Sequence, residues 1–582
     1  MSFTLNYQPA NFKVDETLKE EFTSLQNYIP IYKRFFKLDE QSWNKISLNY
    51  ERSVLSINEK RGYNIFSSTM SDGTTKDCFI KFCPLFDPLK IMIGKYDNSL
   101  ITIPKWQEKN ESTEKLPLDF NDPNNSAYVD SFFTYLTSKL LRHHNFYHGL
   151  DCYGSYLAIK NNFRVNIQDD IEYLFDSEFF LEHKDEFNVS DELYEVFQPT
   201  QSCKYKKKIQ IVDMDTENSD ETIDLGVEEL NPDAISPIKI PDSAFDFADC
   251  YVDSSDLVYI KANTDSEPTS PHHTNSSDTT SCSSRSSVTT EENMLDIEDD
   301  EDEDDDEDED DFGSSYEDED EDDESSDSTD EDRPIYVHLP KFPVNMVFLE
   351  SCKATLDDYM LDENVSISKH EWSSILMQIV MTLIVYQEKF YCIHNDLHNA
   401  NVMYVETDKQ YLYYKFDGVH YKVPTFGKIW KIIDFGRAIY KFRGNIIFSD
   451  SFSPTGDASS QYNCEPYLDS NKKVVPPNFN FDLCRLACSL YDYLEDEEEL
   501  EDIFSVVCEW LTDYKGRNIL YKKNGDERYP EFKLYKMISR TMVNNIPKKQ
   551  LKLPIFSQYS TSKKNIKKKQ MIINIDEIPE YF

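Results

Sequence analysis

At 582 residues the chain is too long for one compact core, so at least two folded units with linkers are expected. Its net charge of −49 argues against non-specific binding to nucleic acid, itself a polyanion, and makes a basic protein or peptide the natural counterpart. The charge is uneven: Glu291 to Asp332 holds 29 acidic residues and no Lys or Arg, which leaves about −20 on the rest.

The twelve cysteines are scattered, with no Cys-x-x-Cys pair. No signal-like leader and no apolar run long enough to span a bilayer is present, so a reduced, intracellular, cytoplasmic protein without a membrane partner is expected. Cys484 and Cys488 lie four apart on a predicted helix, which suits a core face better than a metal site.

In chain order, residues 1–50 are mixed polar and aromatic, with a helix or two expected and no readable motif. Strands follow: Ser53–Ile57, Tyr63–Ser68 and Cys78–Phe82, with Asn58–Gly62 and Ser71-Asp72-Gly73 as turns. Lys81 falls late in the third strand. Ser126–Leu141 reads as a helix with Tyr128, Phe132, Tyr135 and Leu136 on one face and Asp130 as its only acid. Cys152–Ile159 reads as a strand. Residues 161–335 then change composition, from acidic-aromatic segments near Asp169–Phe197 to a Ser/Thr-rich stretch and the acidic run; an insertion, largely disordered, is predicted.

Order is expected again at the strand Val344–Glu350, followed by a short connector and a helix start at Thr355. Glu371–Phe390 is a strong helix, with Trp372, Ile375, Ile379, Leu383 and Tyr386 on one face. Tyr411–Phe416 and Val419–Val423 make a hairpin around Asp417-Gly418, and Trp430–Ile433 a strand. Arg437 to about Pro477 reads as a polar loop, and a helical region starts at Phe481. The basic run Lys563–Lys569 suits a nuclear address, a dock for the acidic run, or a solvated tail, the last being the reading preferred.

Between the strong helix and the later strand stands His394-Asn395-Asp396-Leu397-His398-Asn399-Ala400-Asn401, and Asp434-Phe435-Gly436 follows 38 residues after Asp396. Phosphoryl transfer needs a carboxylate to orient the acceptor hydroxyl and take its proton. It also needs an amide oxygen and a second carboxylate to hold the ions that neutralise the phosphates. Asp396, Asn401 and Asp434 supply those types in the spacing His-x-Asp-Leu-x-x-x-Asn plus Asp-Phe-Gly.

On these residues, together with Phe79–Phe82, Lys431–Ala438 and Phe481–Leu486, residues 50–160 and 340–545 resemble the protein-kinase superfamily. The resemblance is to the divergent protein-kinase-like sequences of large nucleocytoplasmic DNA viruses, which would place the protein in host cytoplasm or virion. The Asp-Leu-His opening of the loop is also similar to haspin-type kinases. The resemblance implies an α+β, bilobal fold with a small β-rich lobe (residues 51–160 and 336–350) and a helical lobe (351–545), an N-terminal extension (1–50) and a basic tail (546–582). It implies ATP and Mg²⁺: Asp396 as base, Asn401 and Asp434 as metal ligands, Lys81 on the α- and β-phosphates with Asp130 as its partner. Backbone groups near Glu350 and Cys352 would meet the adenine, Asp482 would brace the loop, and His394 would pack it.

Several positions depart from that pattern. Asn395 replaces the loop arginine that an activation-segment phosphate pairs with. His398 replaces a lysine that meets the γ-phosphate. No Gly-x-Gly-x-x-Gly loop is present; in its place Lys60 and Arg61 either touch phosphate or form an exposed basic turn. Three functions remain open: a Ser/Thr protein kinase, a kinase-fold phosphotransferase for small molecules, and a non-enzymatic scaffold.

Overall fold

The computed structural model describes residues 4–97, 100–106, 120–187, 335–495, 497–530 and 532–582. The acidic run and most of the predicted insertion lie outside them.

The β-rich part is a seven-stranded sheet built from β2 (Lys13–Val14), β3 (Phe22–Gln26), β5 (Val54–Lys60), β6 (Ile65–Met70), β7 (Thr75–Pro84), β8 (Cys152–Asn166) and β9 (Tyr336–Leu349). Their order is β2-β5-β6-β7-β9-β8-β3. Alternating residues send Cys78, Ile80 and Phe82 to one face, where Phe82 meets Phe66 and Phe22. Lys81 therefore points to the other face.

Two expectations fail here. Residues 4–50 contain no α-helix; they form 3₁₀ turns, the ribbon of β1 (Tyr7–Pro9) with β4 (Ile46–Leu48), and both outer strands of the main sheet. The aromatic and β-branched cluster Tyr28, Ile29, Ile31 and Tyr32 is buried, and Pro30 starts a 3₁₀ turn. The predicted Asn58–Gly62 loop is also shorter. β5 continues to Lys60, which pairs with Phe66 across an irregular register, and the turn is Arg61 to Asn64.

Helix α1 (Leu89–Met92) and the long α2 (Ser126–His144) follow β7. Asn125 caps α2, its side chain accepting from Ala127 N–H. The helix lies against β9, where Asn345 Nδ2 donates to Ala127 O and Ser131 Oγ, each at 2.8 Å. β8 and β9 pair far beyond the predicted strands, out to Asn166 and Tyr336. Short helices α3 (Ile171–Phe175) and α4 (Glu178–His183) follow β8 in the acidic-aromatic stretch near Asp169.

The later part is mainly helical. After β10 (Ala354–Thr355) come α5 (Leu356–Met360), capped by Thr355, and α6 (Lys369–Phe390), buried along nearly all its length. β11 (Val402–Glu406) and β14 (Lys428–Ile432) form a three-stranded sheet with β10, and β12 (Tyr411–Phe416) with β13 (Val419–Pro424) is the hairpin expected. The predicted polar loop after Arg437 contains a hairpin instead, β15 (Ile439–Phe442) and β16 (Asn445–Phe448). Helices α7 (Phe481–Cys488), α8 (Tyr491–Glu495), α9 (Glu501–Trp510) and α10 (Phe532–Thr541) complete this part. Cys484 and Cys488 are buried, and neither is in a disulfide.

The tail is a further correction. The lysines of Lys563–Lys569 are exposed, as expected, but Ile566 between them is buried and the segment around the run is built into the fold. β17 (Ser560–Thr561) and β18 (Ile573–Asn574) extend the β12–β13 hairpin, and Ile566, Ile573 and Ile575 are buried. No helix among the described residues is long and apolar enough to cross a membrane.

Candidate active site

β7 carries Lys81, α2 carries Asp130, and the chain leaving β14 carries Asp434. The three meet. Lys81 Nζ lies 2.9 Å from Asp130 Oδ2 and 2.9 Å from Asp434 Oδ2. Asp130 Oδ1 accepts from the N–H of Phe435 at 2.7 Å, so one carboxylate ties the strand lysine to the Asp-Phe-Gly turn. Burial works against the charge on Lys81, but Asp130 and Asp434 outweigh it and hold its pKa above the ordinary lysine range. Burial pushes the Asp434 carboxyl up, with Lys81 opposing and Asp130 adding to the rise.

The loop from His394 to Asn401 leaves α6 through Tyr391, whose positive φ of 49° ends the helix. Its frame is a set of buried hydrogen bonds. Asp482, at the first turn of α7, accepts from the N–H groups of His394 and Asn395 at 3.0–3.1 Å. His394 Nε2 donates to Ile433 O at 2.8 Å, its Nδ1 accepts from Asp396 N–H at 3.2 Å, and its ring faces Phe435. Asn401 Nδ2 donates to Asp396 O at 2.9 Å and to His398 Nε2 at 3.0 Å. Asn401 O accepts from Ile433 N–H at 3.0 Å, which fixes the loop to the approach of Asp434.

Asp396 is buried, and its Oδ1 has no hydrogen-bond partner among the described residues. A buried acceptor left unmade costs free energy unless something else meets it. Burial alone would raise this carboxyl, yet the neighbouring Arg437 guanidinium holds it below the usual range, so it stays ionised at neutral pH. Lys81 and Arg437 are the cations here, set against Asp130, Asp396, Asp434 and Asp457. The side-chain oxygen of Asn401, whose Nδ2 makes the amide bonds, and the Asp434 carboxylate are the donors that could hold a divalent cation.

Sequence reasoning missed a second set of residues. Asn395, at φ 64°, does not sense charge; its Nδ2 donates to Arg437 O at 3.0 Å and its Oδ1 accepts from Tyr462 O–H at 2.6 Å. The guanidinium of buried Arg437 lies 4.0 Å from Asp396 Oδ2 and 3.6 Å from Asp457 Oδ2. Asp450 accepts from Ser126 N–H at 2.8 Å at the start of α2, and burial pushes its carboxyl up to about 7. Asn395 stood inside the loop motif and Arg437 next to Asp-Phe-Gly; Asp450, Asp457 and Tyr462 stood beside no readable motif.

Two predicted positions are placed differently. Lys60 ends β5 and pairs with Glu21 at 2.8 Å, which also holds buried Lys160, so its charge is used within the sheet. Glu350 uses its N–H on Asp151 O at 2.9 Å and its carboxylate on Lys431 at 2.7 Å and Asp151 N–H at 2.7 Å. Its donor and its side chain are therefore not free for a ligand edge. Cys352 lies two residues on in an extended connector, half-buried, its thiol pushed up to about 12 by burial.

Of this chain, 133 residues are 31% identical to a probable serine/threonine-protein kinase of Dictyostelium discoideum, covering 22% of this chain and 10% of that protein. In part, the chain is kinase-like in sequence. A stretch of 65 residues is 29% identical to an uncharacterized protein of Caenorhabditis elegans, covering 11% of this chain and 22% of that protein. The chain thus spans a minor share of the length of these curated relatives. No family model matches it.

Proposed function

We propose that the chain is a two-lobed, protein-kinase-like phosphotransferase that moves the γ-phosphate of ATP to Ser or Thr hydroxyls of proteins. The observation that carries this is Lys81 held between Asp130 and Asp434 in a cleft where Asp396 keeps a buried, unpartnered oxygen. The similarity to a probable serine/threonine-protein kinase supports the same reading. The resemblance to viral sequences belongs to it too and rests on the sequence.

In this reading Asp396 Oδ1 accepts the hydrogen bond of the substrate hydroxyl and takes its proton as the oxygen bonds to the γ-phosphorus. The bond from that phosphorus to the β–γ bridging oxygen breaks, and ADP leaves with the electron pair. Because Arg437 keeps Asp396 ionised, its main work is orientation, with proton acceptance late. Lys81 holds the α- and β-phosphates and stays charged because of its two acids. Asn401 and Asp434 would hold Mg²⁺, which when bound neutralises phosphate oxygens. Asp482 and His394 position the loop.

The acceptor class is tested with γ-labelled ATP, offering basic proteins, acidic proteins and small hydroxyl or amine compounds in parallel. Label on Ser or Thr of protein is expected, with basic substrates preferred. Label only on small molecules would move the function to a metabolite phosphotransferase, and Mg-ATP binding without transfer would leave a scaffold.

A further inference from the structure

The predicted basic tail ends in a segment that packs against both the helix bearing Asp130 and the framework of the Asp434 turn. Tyr581 is fixed by its backbone: its N–H donates to Lys389 O at 2.9 Å, and its O accepts from Arg443 N–H at 2.6 Å. Its ring stacks on Phe390 at 5.1 Å and 14° and leans on Phe442 at 6.3 Å. Its hydroxyl lies 3.0 Å from Nε2 of His144, the last residue of α2. Phe582 meets Tyr391 edge-on at 4.2 Å, and Ile578 is buried.

The contacts continue inward. Phe390 meets Phe133 of α2 at 5.4 Å, and Phe133 meets Phe435 at 4.6 Å. Phe390, Phe133 and Phe435 are fully buried, so the series has no slack to absorb a lost neighbour. Phe133 sits three residues after Asp130 on the same helix, and Phe435 follows Asp434.

We infer that residues 578–582 form a built-in clamp: Tyr581 holds the end of α2 through His144 and, through Phe390 and Phe133, holds Phe435, so that Asp130 and Asp434 keep their places beside Lys81. Tyr581 is a positioning residue, acting through α2 and Phe435. Its catalytic consequence rests on the proposed phosphotransfer; its structural coupling does not.

The test is hydrogen exchange on the full chain, wild type against Tyr581→Ala and Tyr581→Phe. For Tyr581→Ala, at least tenfold faster exchange is expected across residues 126–144 and 433–438, with α9 unchanged. Tyr581→Phe keeps the stack and should stay within a few-fold of wild type. Faster exchange confined to residues 578–582 and their neighbours 389–391 and 443 would overturn the clamp. If Tyr581→Ala does not fold, Tyr581→Leu, which keeps bulk but neither flat stacking nor hydroxyl, is read the same way. In kinetics, kcat should fall about tenfold in Tyr581→Ala with KM for ATP nearly constant; an unchanged kcat would also overturn it. A wild type that transfers no phosphate but shows the exchange coupling would remove the kinase reading and leave the clamp.

Discussion

The loop from His394 to Asn401 and the turn from Arg61 to Asn64 are held in contrasting ways. The first rests on buried polar groups: Asp482 under two N–H groups, Asn395 between Arg437 and Tyr462, His394 against Ile433. The second closes on itself, with Arg61 and Gly62 N–H both donating to Ile65 O at 2.8 and 3.1 Å. Its own Tyr63 and Asn64 tie it to the sheet: Asn64 O accepts from Ile80 N–H at 2.7 Å, the Tyr63 hydroxyl oxygen accepts from Arg164 N–H at 2.6 Å, and Arg164 is sandwiched between Tyr63 and Tyr336 at 4.3 Å from each ring. A loop that must hold a carboxylate in place is pinned from several directions. The turn, lacking the flexible glycines of a phosphate-covering loop, is pinned by an aromatic residue instead.

That contrast orders the expected effects. Asp482→Ala strips the acceptor from two buried N–H groups, and a loss of about 3 kcal/mol or more in urea unfolding is expected. A loss under about 1 kcal/mol would show that the loop is held by packing, not by polar bonds.

Asp450 gives the intermediate effect. Its folded pKa of about 7 is raised above the unfolded value, so the unfolded chain ionises first as pH rises. Wild type should therefore lose stability progressively relative to Asp450→Asn from about pH 4 to about pH 7, and the difference should level off above that. Paired melting curves across this range measure it; a flat difference would mean the carboxyl is not held at an elevated pKa.

Lys60→Ala should be the mildest change. The Lys60–Glu21 pair is partly exposed, so a cost below about 1 kcal/mol and a change in KM for ATP of less than twofold are expected. A several-fold rise in KM would return Lys60 to the phosphates and make the turn a working part of the site.

The same contrast explains what could be read from the sequence. Asp396, Asn401 and Asp434 stood out in the sequence because their spacing is local and few residue types suit the roles proposed for them. Lys81 and Asp130 were legible as a strand lysine and the sole acid of a helix, though no sequence signal shows that Asp130 also takes the N–H of Phe435. Arg437, Asp457, Tyr462 and Asp450 were not, since their partners lie far away in sequence and follow from tertiary packing. β2 and β3 were too short to show alternation, and β15–β16 was read together with the polar residues that follow it, although five of its eight residues are buried. Lys60 stayed open between phosphate and an exposed turn because a basic residue near a turn looks alike whether it meets a ligand or Glu21.

The central claim is tested most directly by single-turnover transfer of γ-labelled phosphate, wild type against Asp396→Asn, with Mg-ATP affinity measured alongside. The substitution keeps the shape and removes the charge that would take the proton. At least a 10³-fold loss of rate with affinity within about twofold is predicted. Transfer at the wild-type rate in Asp396→Asn would contradict the assignment of this cleft as the active site.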